Sequence, residues 1–278
     1  MAHVEPDALK LIPKKQFGQH FLVQDSAIRT ITQAALACRA PQLLEIGPGP
    51  GVLTAPLLAD GRPLWAVELD PDAIAVLEQR FQGLAHFHPV PGDAVQVPLE
   101  LSGPLSVVGN LPYNAATAIL TRFLVEDLPW ERMVFMFQLE VGQKLLGRPG
   151  EKEYGPLSIL AQLRCRLTRL LKLGPGAFRP APKVDSIVLQ FDPGPSRPGL
   201  SHIRQRQALL ALLHTSFAHR RKTLANNWQG LIGPERARGI LAEAGLPAAI
   251  RAEAIPPDVW PVLYHLTRSC APPEPESP

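Results

Sequence analysis

Apolar positions along this chain follow two rhythms. Short unbroken apolar runs, the mark of strands buried on both faces, alternate with stretches in which apolar residues recur every three or four positions. PQLLEIG is such a run; it leads into PGPG and then helical VLTAPLLAD. PLWAVELD predicts a second strand, after which Asp70 caps a helix, PDAIAVLEQRF, with Pro71 at its first position. LAHFHPV and PLSVVGN predict a third and a fourth strand. AATAILTRFL is helical, RMVFMFQL a strand and EVGQKLL a helix. Upstream, DSAIRTITQAALACR begins with Asp25 and Ser26 as candidate N-caps and continues with helical spacing. This alternation predicts an α/β protein, a parallel sheet covered by helices.

The later part is less regular. CRLTRLLKL and VDSIVLQF read as strands flanking GPGAFRPAPK, and their junction without a long helix predicts an antiparallel edge. DPGPSRPG, Asp192 to Gly199, is the best linker in the chain, and only helical patterns follow it. The expected organisation is a large α/β domain over 1–195, a small all-α domain over 200–270 and a disordered tail, APPEPESP, at 271–278.

Composition narrows the class. A chain of 278 residues with 46% hydrophobic content suits one large domain and a smaller one. The net charge is +3 and the pI about 8.9, which permits a nucleic-acid partner without demanding one. The excess is C-terminal: Arg220, Arg221, Lys222, Arg236 and Arg238 belong to a basic region that holds few acids before the tail. Cys38, Cys165 and Cys270 are odd in number and far apart, which supports neither a disulfide framework nor a zinc site. MAHVEPDALK has no apolar core, and no run is long enough to span a bilayer. A reducing cytoplasm is the expected setting.

The first candidate chemistry lies in LEIGPGPGVLT. Gly47, Gly49 and Gly51 allow positive φ and close approach to a ligand. Glu68 closes the next strand, where a carboxylate accepts both hydroxyls of a ribose. A tight turn that binds nothing is the alternative. Val52 stands where the dinucleotide fingerprint has its third glycine, which disfavours NAD. Asp93, in GDA, ends the third strand and can accept an adenine amino group, or simply cap its turn. The two carboxylates together suit S-adenosylmethionine.

The second candidate is VVGNLPYN. In open α/β sheets ligands bind beyond the carboxyl ends of the strands, and Asn110 to Tyr113 occupy such an end. Pro112 fixes the turn and biases Leu111 towards an extended backbone. A backbone carbonyl and the Asn110 side-chain carbonyl are then two acceptors for the two N–H groups of an aromatic amine. Accepting both frees the nitrogen lone pair and stabilises the charge that develops on methylation. Tyr113 offers a face for the base. A purely structural strand-end turn is the alternative.

With these residues placed, the chain resembles the small-subunit ribosomal RNA adenine N6,N6-dimethyltransferases from about Lys14 to the C-terminal helices. KKQFGQHFL, LEIGPGPGVLT, VELD, GDA, NLPYN, YGPLSILAQ, FRPAPKVDS and FAHRRKTLANN match that family's motifs in order. The resemblance implies a seven-stranded Rossmann-like class I methyltransferase sheet with a small all-α C-terminal domain, and S-adenosylmethionine as cofactor. It implies dimethylation of two adjacent adenosines near the 3′ end of small-subunit rRNA within a partly assembled subunit, by a monomer. Cofactor contacts fall by similarity on Gln19, His20, Leu22, Gly47, Gly49, Glu68, Asp93, Ala94 and Asn110. Many members have Asn where this chain has His20; backbone contacts survive that exchange. Catalytic roles fall on Asn110, Leu111, Pro112 and Tyr113, with Phe178 stacking on the target adenine opposite Tyr113.

Other features carry two readings. Lys14, Lys15, Arg220, Arg221 and Lys222 are candidate rRNA phosphate contacts or ordinary solvated charges. His86 and His88 form an H-x-H without a third ligand, so no metal is expected. Phe135, Met136 and Phe137 read as core. Rival functions are a large-subunit rRNA adenine methylase of the macrolide-resistance type, a DNA adenine methylase, a non-catalytic assembly factor and an NAD oxidoreductase. The DNA enzymes more often have PPY where this chain has Leu111 before Pro112 and Tyr113.

Overall fold

The computed structural model describes residues 11, 13–14, 19–99, 101, 103–195 and 200–268. Lys15, Cys270 and the 271–278 tail lie outside them.

The first strands and helices are β1 (Phe21–Leu22), α1 (Asp25–Leu36), β2 (Gln42–Ile46), α2 (Thr54–Leu58), β3 (Leu64–Glu68), α3 (Pro71–Arg80) and β4 (Phe87–Pro91). There follow β5 (Leu105–Asn110), α4 (Ala116–Val125), β6 (Trp130–Gln138), α5 (Leu139–Leu146), α6 (Pro156–Arg164), β7 (Cys165–Leu173), β8 (Phe178–Arg179) and β9 (Ser186–Pro193). Seven strands form one sheet in the order β4-β3-β2-β5-β6-β9-β7. Neighbours from β4 to β6 are parallel, and β9 runs antiparallel to β6. β1 and β8 form a separate antiparallel pair.

Local chemistry explains these elements. Leu43, Leu44 and Ile46 of β2 and Leu105, Val107 and Val108 of β5 are all buried, as strands covered on both faces must be. Gly109 lets β5 close against β2, since a Cβ there would lie 2.7 Å from the Ile46 carbonyl oxygen. Asp70 caps α3 as expected, accepting from the Asp72 N–H at 3.1 Å, with Pro71 in the first turn. The N-cap of α1 is Gln24 rather than Asp25 or Ser26; Asp25 instead sits in the first turn, where its charge complements the helix dipole. Phe135, Met136 and Phe137 of β6 are core residues.

The chain divides into two compact units that differ from the contiguous split at 195. One holds the described residues up to Phe123, with Leu128–Gly142 and Arg166–Pro193. The other holds Leu124–Asp127, Gln143–Cys165 and the described residues from Gly194 onward. The second unit is helical and includes α7 (Ile203–Phe217), α8 (Leu224–Asn227), α9 (Gln229–Ile232), α10 (Pro234–Glu243) and α11 (Trp260–Arg268). Its core packs Tyr154, Ile159 and Leu163 with Trp228, Trp260 and Leu263, which is why the segment around α6 belongs here. The Tyr154 hydroxyl donates to the Ile255 carbonyl at 2.6 Å. Buried Arg206 donates to the carbonyls of Val125 and Leu200 and pairs with Asp127, which holds 124–127 in the same unit.

Candidate functional site

The sheet aligns four strand ends. Ile46 is opposite Gly109, Glu68 is opposite Pro91, and the Gly92 N–H donates to the Glu68 carbonyl at 2.9 Å. The chain leaves β2, β3, β4 and β5 at the same edge, so Gly47, Glu68, Asp93 and Asn110 line one cavity of about 330 Å3. Gln19, His20, Gly49, Leu111, Pro112 and Tyr113 line it too, so most of the expected site residues converge there.

The glycine loop has the backbone its sequence called for. Gly47, Gly49 and Gly51 have φ of +67°, +54° and +82°, values that favour glycine. A Cβ on Gly49 would lie 3.0 Å from the Phe21 ring. The loop is bound to Glu68, whose Oε2 accepts from the Gly49 N–H and whose Oε1 accepts from the Asp70 N–H, each at 2.9 Å. Burial raises the Glu68 pKa, and these backbone donors oppose that rise. The Leu69 N–H is a third backbone donor, which leaves the carboxylate capacity for a further donor such as a ribose hydroxyl.

Asp93 fills the turn-capping role and keeps one carboxylate oxygen open to the cavity. Oδ1 accepts from the Val95 N–H at 2.8 Å and closes the turn, which leaves Oδ2 for an amino group. Ala94 does not line the cavity; its side chain is buried and its carbonyl accepts from Arg122 at 2.9 Å, so only its N–H is left for a ligand. The Leu22 side chain is in the hydrophobic core, which leaves its backbone as the part that a ligand could reach.

The NLPY turn is held from three sides. The Asn110 Nδ2 donates to the His20 carbonyl at 2.8 Å. A carbonyl only accepts, so this bond settles which end of the amide is nitrogen and turns Oδ1 away from His20. The Pro112 carbonyl accepts from Ala115 and Ala116 at 3.0 and 2.9 Å and starts α4. That leaves the Leu111 carbonyl as the backbone acceptor of the turn, while the Leu111 side chain anchors it in the core. The Tyr113 hydroxyl shares a 2.6 Å hydrogen bond with buried Ser186. Burial raises the phenol pKa, and the bond to Ser186 opposes the rise.

Three candidate residues have surroundings set by distant parts of the chain. Phe178 is fully buried in the sheet core and does not line this cavity; β8 pairs with β1 and sets Phe178 opposite Leu22. The ring stacked on Tyr113 is His20, with centroids 5.4 Å apart and planes at 29°. Lys14 is ion-paired to Asp70 at 2.6 Å and to Asp72 at 2.7 Å rather than displayed for phosphate. Arg220 pairs with Glu253 at 3.2 Å and donates to the Tyr154 and Glu151 carbonyls, a tie within the helical unit. Arg221 and Lys222 are exposed, and Lys15 lies outside the described residues.

Sequence reasoning missed Leu69 and the second role of Asp70. Leu69, 52% exposed, lines the cavity directly after Glu68; a lone apolar residue following a strand-ending carboxylate was the available signal. Fully buried Asp70 accepts from Lys14 Nζ and, at 3.1 Å, from Gln19 Nε2, while Gln19 Oε1 accepts from the Lys14 N–H at 2.8 Å. Burial pushes the Asp70 pKa up, but the bonds from Lys14, Gln19 and the Asp72 N–H together hold it below the usual range. The Gln19 side chain therefore fastens the N-terminal segment beside the cavity. His86 and His88 are engaged elsewhere, His86 with the Leu58 carbonyl and His88 stacked on Trp65.

Comparison with known proteins agrees with this geometry. A family model described as ribosomal RNA adenine dimethylase matches residues 12–262. Ribosomal RNA small subunit methyltransferase A of Thermosynechococcus vestitus is 36% identical over 260 residues, 92% of this chain and 97% of its own. The protein of the same name from Acidithiobacillus ferrooxidans is 39% identical over 236 residues, 84% of this chain and 87% of its own. The fold is shared with a dimethyladenosine transferase from Plasmodium falciparum, with a TM-score of 0.70 and 20% identity over 88% of this chain and 96% of that one. It is also shared with the 23S rRNA methyltransferase ErmE, with a TM-score of 0.63 and 23% identity over 88% of this chain and 98% of that one. The chain belongs to the ribosomal RNA adenine dimethylase family of S-adenosylmethionine-dependent methyltransferases.

Proposed function

We propose that this chain dimethylates N6 of two adjacent adenosines near the 3′ end of small-subunit rRNA. It acts as a cytoplasmic monomer on a partly assembled small subunit. The curated relatives compared above are named small-subunit methyltransferases, which favours that substrate over large-subunit rRNA.

The residues at the cavity fit the cofactor. Glu68 suits the ribose, Asp93 Oδ2 the adenine amino group and Leu69 an adenine face, while Gly49 leaves room for close backbone approach. When bound there, S-adenosylmethionine supplies an electrophilic methyl group on a positively charged sulfur.

The observation that carries the reading is the bond between Asn110 Nδ2 and the His20 carbonyl. It dedicates Oδ1 to accepting before any substrate arrives, so little reorganisation is required at the moment of reaction. Asn110 Oδ1 and the Leu111 carbonyl accept the two N–H bonds of the adenosine amine. This localises the nitrogen lone pair and stabilises the positive charge that builds during alkylation. Tyr113 supports the base, and its bond to Ser186 keeps the ring from turning.

The test is methyl transfer from labelled S-adenosylmethionine to small subunits lacking the modification, beside large subunits and duplex DNA. Dimethyladenosine in small subunits alone is expected. Label on large subunits or DNA would keep the chemistry and replace the substrate.

A further inference from the structure

Helix α3 holds a cavity-lining segment at each of its ends. At its start Asp70 accepts from Lys14 and Gln19. At its end Arg80 reaches the glycine loop. Arg80 Nη1 donates to the Pro50 carbonyl at 2.7 Å and makes a longer contact with the Gly51 carbonyl at 3.4 Å. The guanidinium also lies over the Phe81 ring, 5.2 Å from its centroid. This end of α3 is pressed against the loop, since a Cβ on Gly51 would lie 2.9 Å from Phe81 and 3.0 Å from Leu77. Gly47 and Gly49 of the same loop line the cofactor cavity, whereas Arg80 does not.

We propose that Arg80 is a positioning residue for S-adenosylmethionine, its bond to the Pro50 carbonyl keeping the glycine loop in the shape that receives the cofactor. The proposal rests on the cofactor reading and not on which RNA is methylated. Gly47, Gly49 and Gly51 give the loop wide conformational freedom, which something outside it must restrict. Two side chains of opposite charge do so from two sides. Glu68 accepts from the Gly49 N–H and holds the first half, and Arg80 donates to the Pro50 carbonyl and holds the second. A hydrogen bond from a cation is stronger than one between neutral groups. Without it the loop visits other shapes, and the cofactor Kd rises by the reciprocal of the fraction still competent. Arg80 touches no reacting atom on this account, so its loss acts on cofactor binding and spares turnover once cofactor saturates. A guanidinium acting through its charge alone would repel the sulfonium, and its removal would tighten binding instead.

The test compares Arg80→Met, which keeps an apolar stem over Phe81 without a donor, with Arg80→Lys, which keeps a charged donor. Calorimetry gives the Kd of S-adenosylmethionine and of its demethylated product, S-adenosylhomocysteine, which lacks the sulfonium charge. Hydrogen exchange follows the amides of Gly47, Gly49 and Gly51, and labelled transfer gives kcat at saturating cofactor. Melting curves check that each variant is folded at the assay temperature. Arg80→Met is expected to raise both Kd values about tenfold and by the same factor, as for a loop about one-tenth competent. Its loop amides exchange faster than in the parent, and kcat stays within about twofold. Arg80→Lys falls between the two, because an ammonium gives a point contact in place of a planar fork. The proposal is overturned if both Kd values stay at the parent's in folded Arg80→Met, if only one of them moves, or if kcat falls by as much as Kd rises. Should Arg80→Met not fold, Arg80→Lys decides: a raised Kd with faster loop exchange supports the proposal, and a Kd equal to the parent's overturns it. Unmutated protein that binds neither ligand overturns the cofactor reading and this proposal together; a binding parent with an indifferent Met variant overturns this proposal alone.

Discussion

The Asn110 side chain points its nitrogen at the His20 carbonyl, 2.8 Å away, although the two residues are 90 positions apart in the chain. The acceptor needed for the chemistry is thereby oriented by the backbone of a segment that also lines the cofactor cavity. Asn110→Ala removes the acceptor and is expected to lower kcat about 100- to 1,000-fold with the cofactor still bound. Asn110→Asp should be nearly as poor, since a carboxylate oxygen would then face the His20 carbonyl oxygen. Rapid-quench turnover beside calorimetric Kd values checks both, and near-normal turnover in either variant would remove the proposed role.

Asp70 links the first turn of α3 to the N-terminal segment through Lys14 and Gln19. Asp70→Ala loses a helix cap and both ties, at a cost of about 1–2 kcal/mol for the cap. It also releases the segment bearing His20, so the cofactor Kd should rise as hydrogen exchange at 19–22 quickens. Asp72→Ala removes one exposed partner of Lys14 and leaves the cap, so a much smaller effect is expected. Equal behaviour of the two variants would refute the linkage.

The basic cluster divides by partner. Arg220 is tied to Glu253 and two carbonyls, whereas Arg221 and Lys222 are exposed. Arg220→Ala should lower the melting temperature. Arg221→Ala and Lys222→Ala should leave it unchanged and each reduce the salt slope of rRNA binding by about 0.7 to 0.9. Filter binding across a salt series distinguishes them; a slope unchanged in both exposed variants would remove them from the interface.

The contrast between Arg220 and Arg221 shows what a sequence can and cannot disclose. Features set by neighbours in the chain were legible: the buried strands, the Asp70–Pro71 helix start, the glycine loop and the strand-end carboxylates. Each depends on periodicity or on a residue's own φ. What escaped depends on distant pairing. Phe178 is buried because β8 pairs with a strand more than a hundred residues earlier. Lys14 is neutralised by carboxylates beyond β3, and α6 joins the helical unit because Tyr154 and Ile159 pack with Trp228 and Trp260. None of these partners is marked by local spacing.

Glu45 is fully buried in β2, with Thr54 donating to its carboxyl at 2.7 Å. Burial pushes its pKa from 4.5 up to about 8, against the opposing pull of the Thr54 bond. A raised pKa means that the folded state binds the proton more tightly than the unfolded chain. The stabilisation is therefore complete below 4.5 and is lost as pH rises towards about 8. Across that window the Glu45 contribution should decline by up to about 1.4 kcal/mol per pH unit. Glu45→Gln stays neutral throughout, and its carbonyl can still accept from Thr54. The stability difference between variant and parent should shift towards the variant between about pH 5 and about pH 8, as urea unfolding would measure. Parallel pH profiles would show that Glu45 does not titrate in this range.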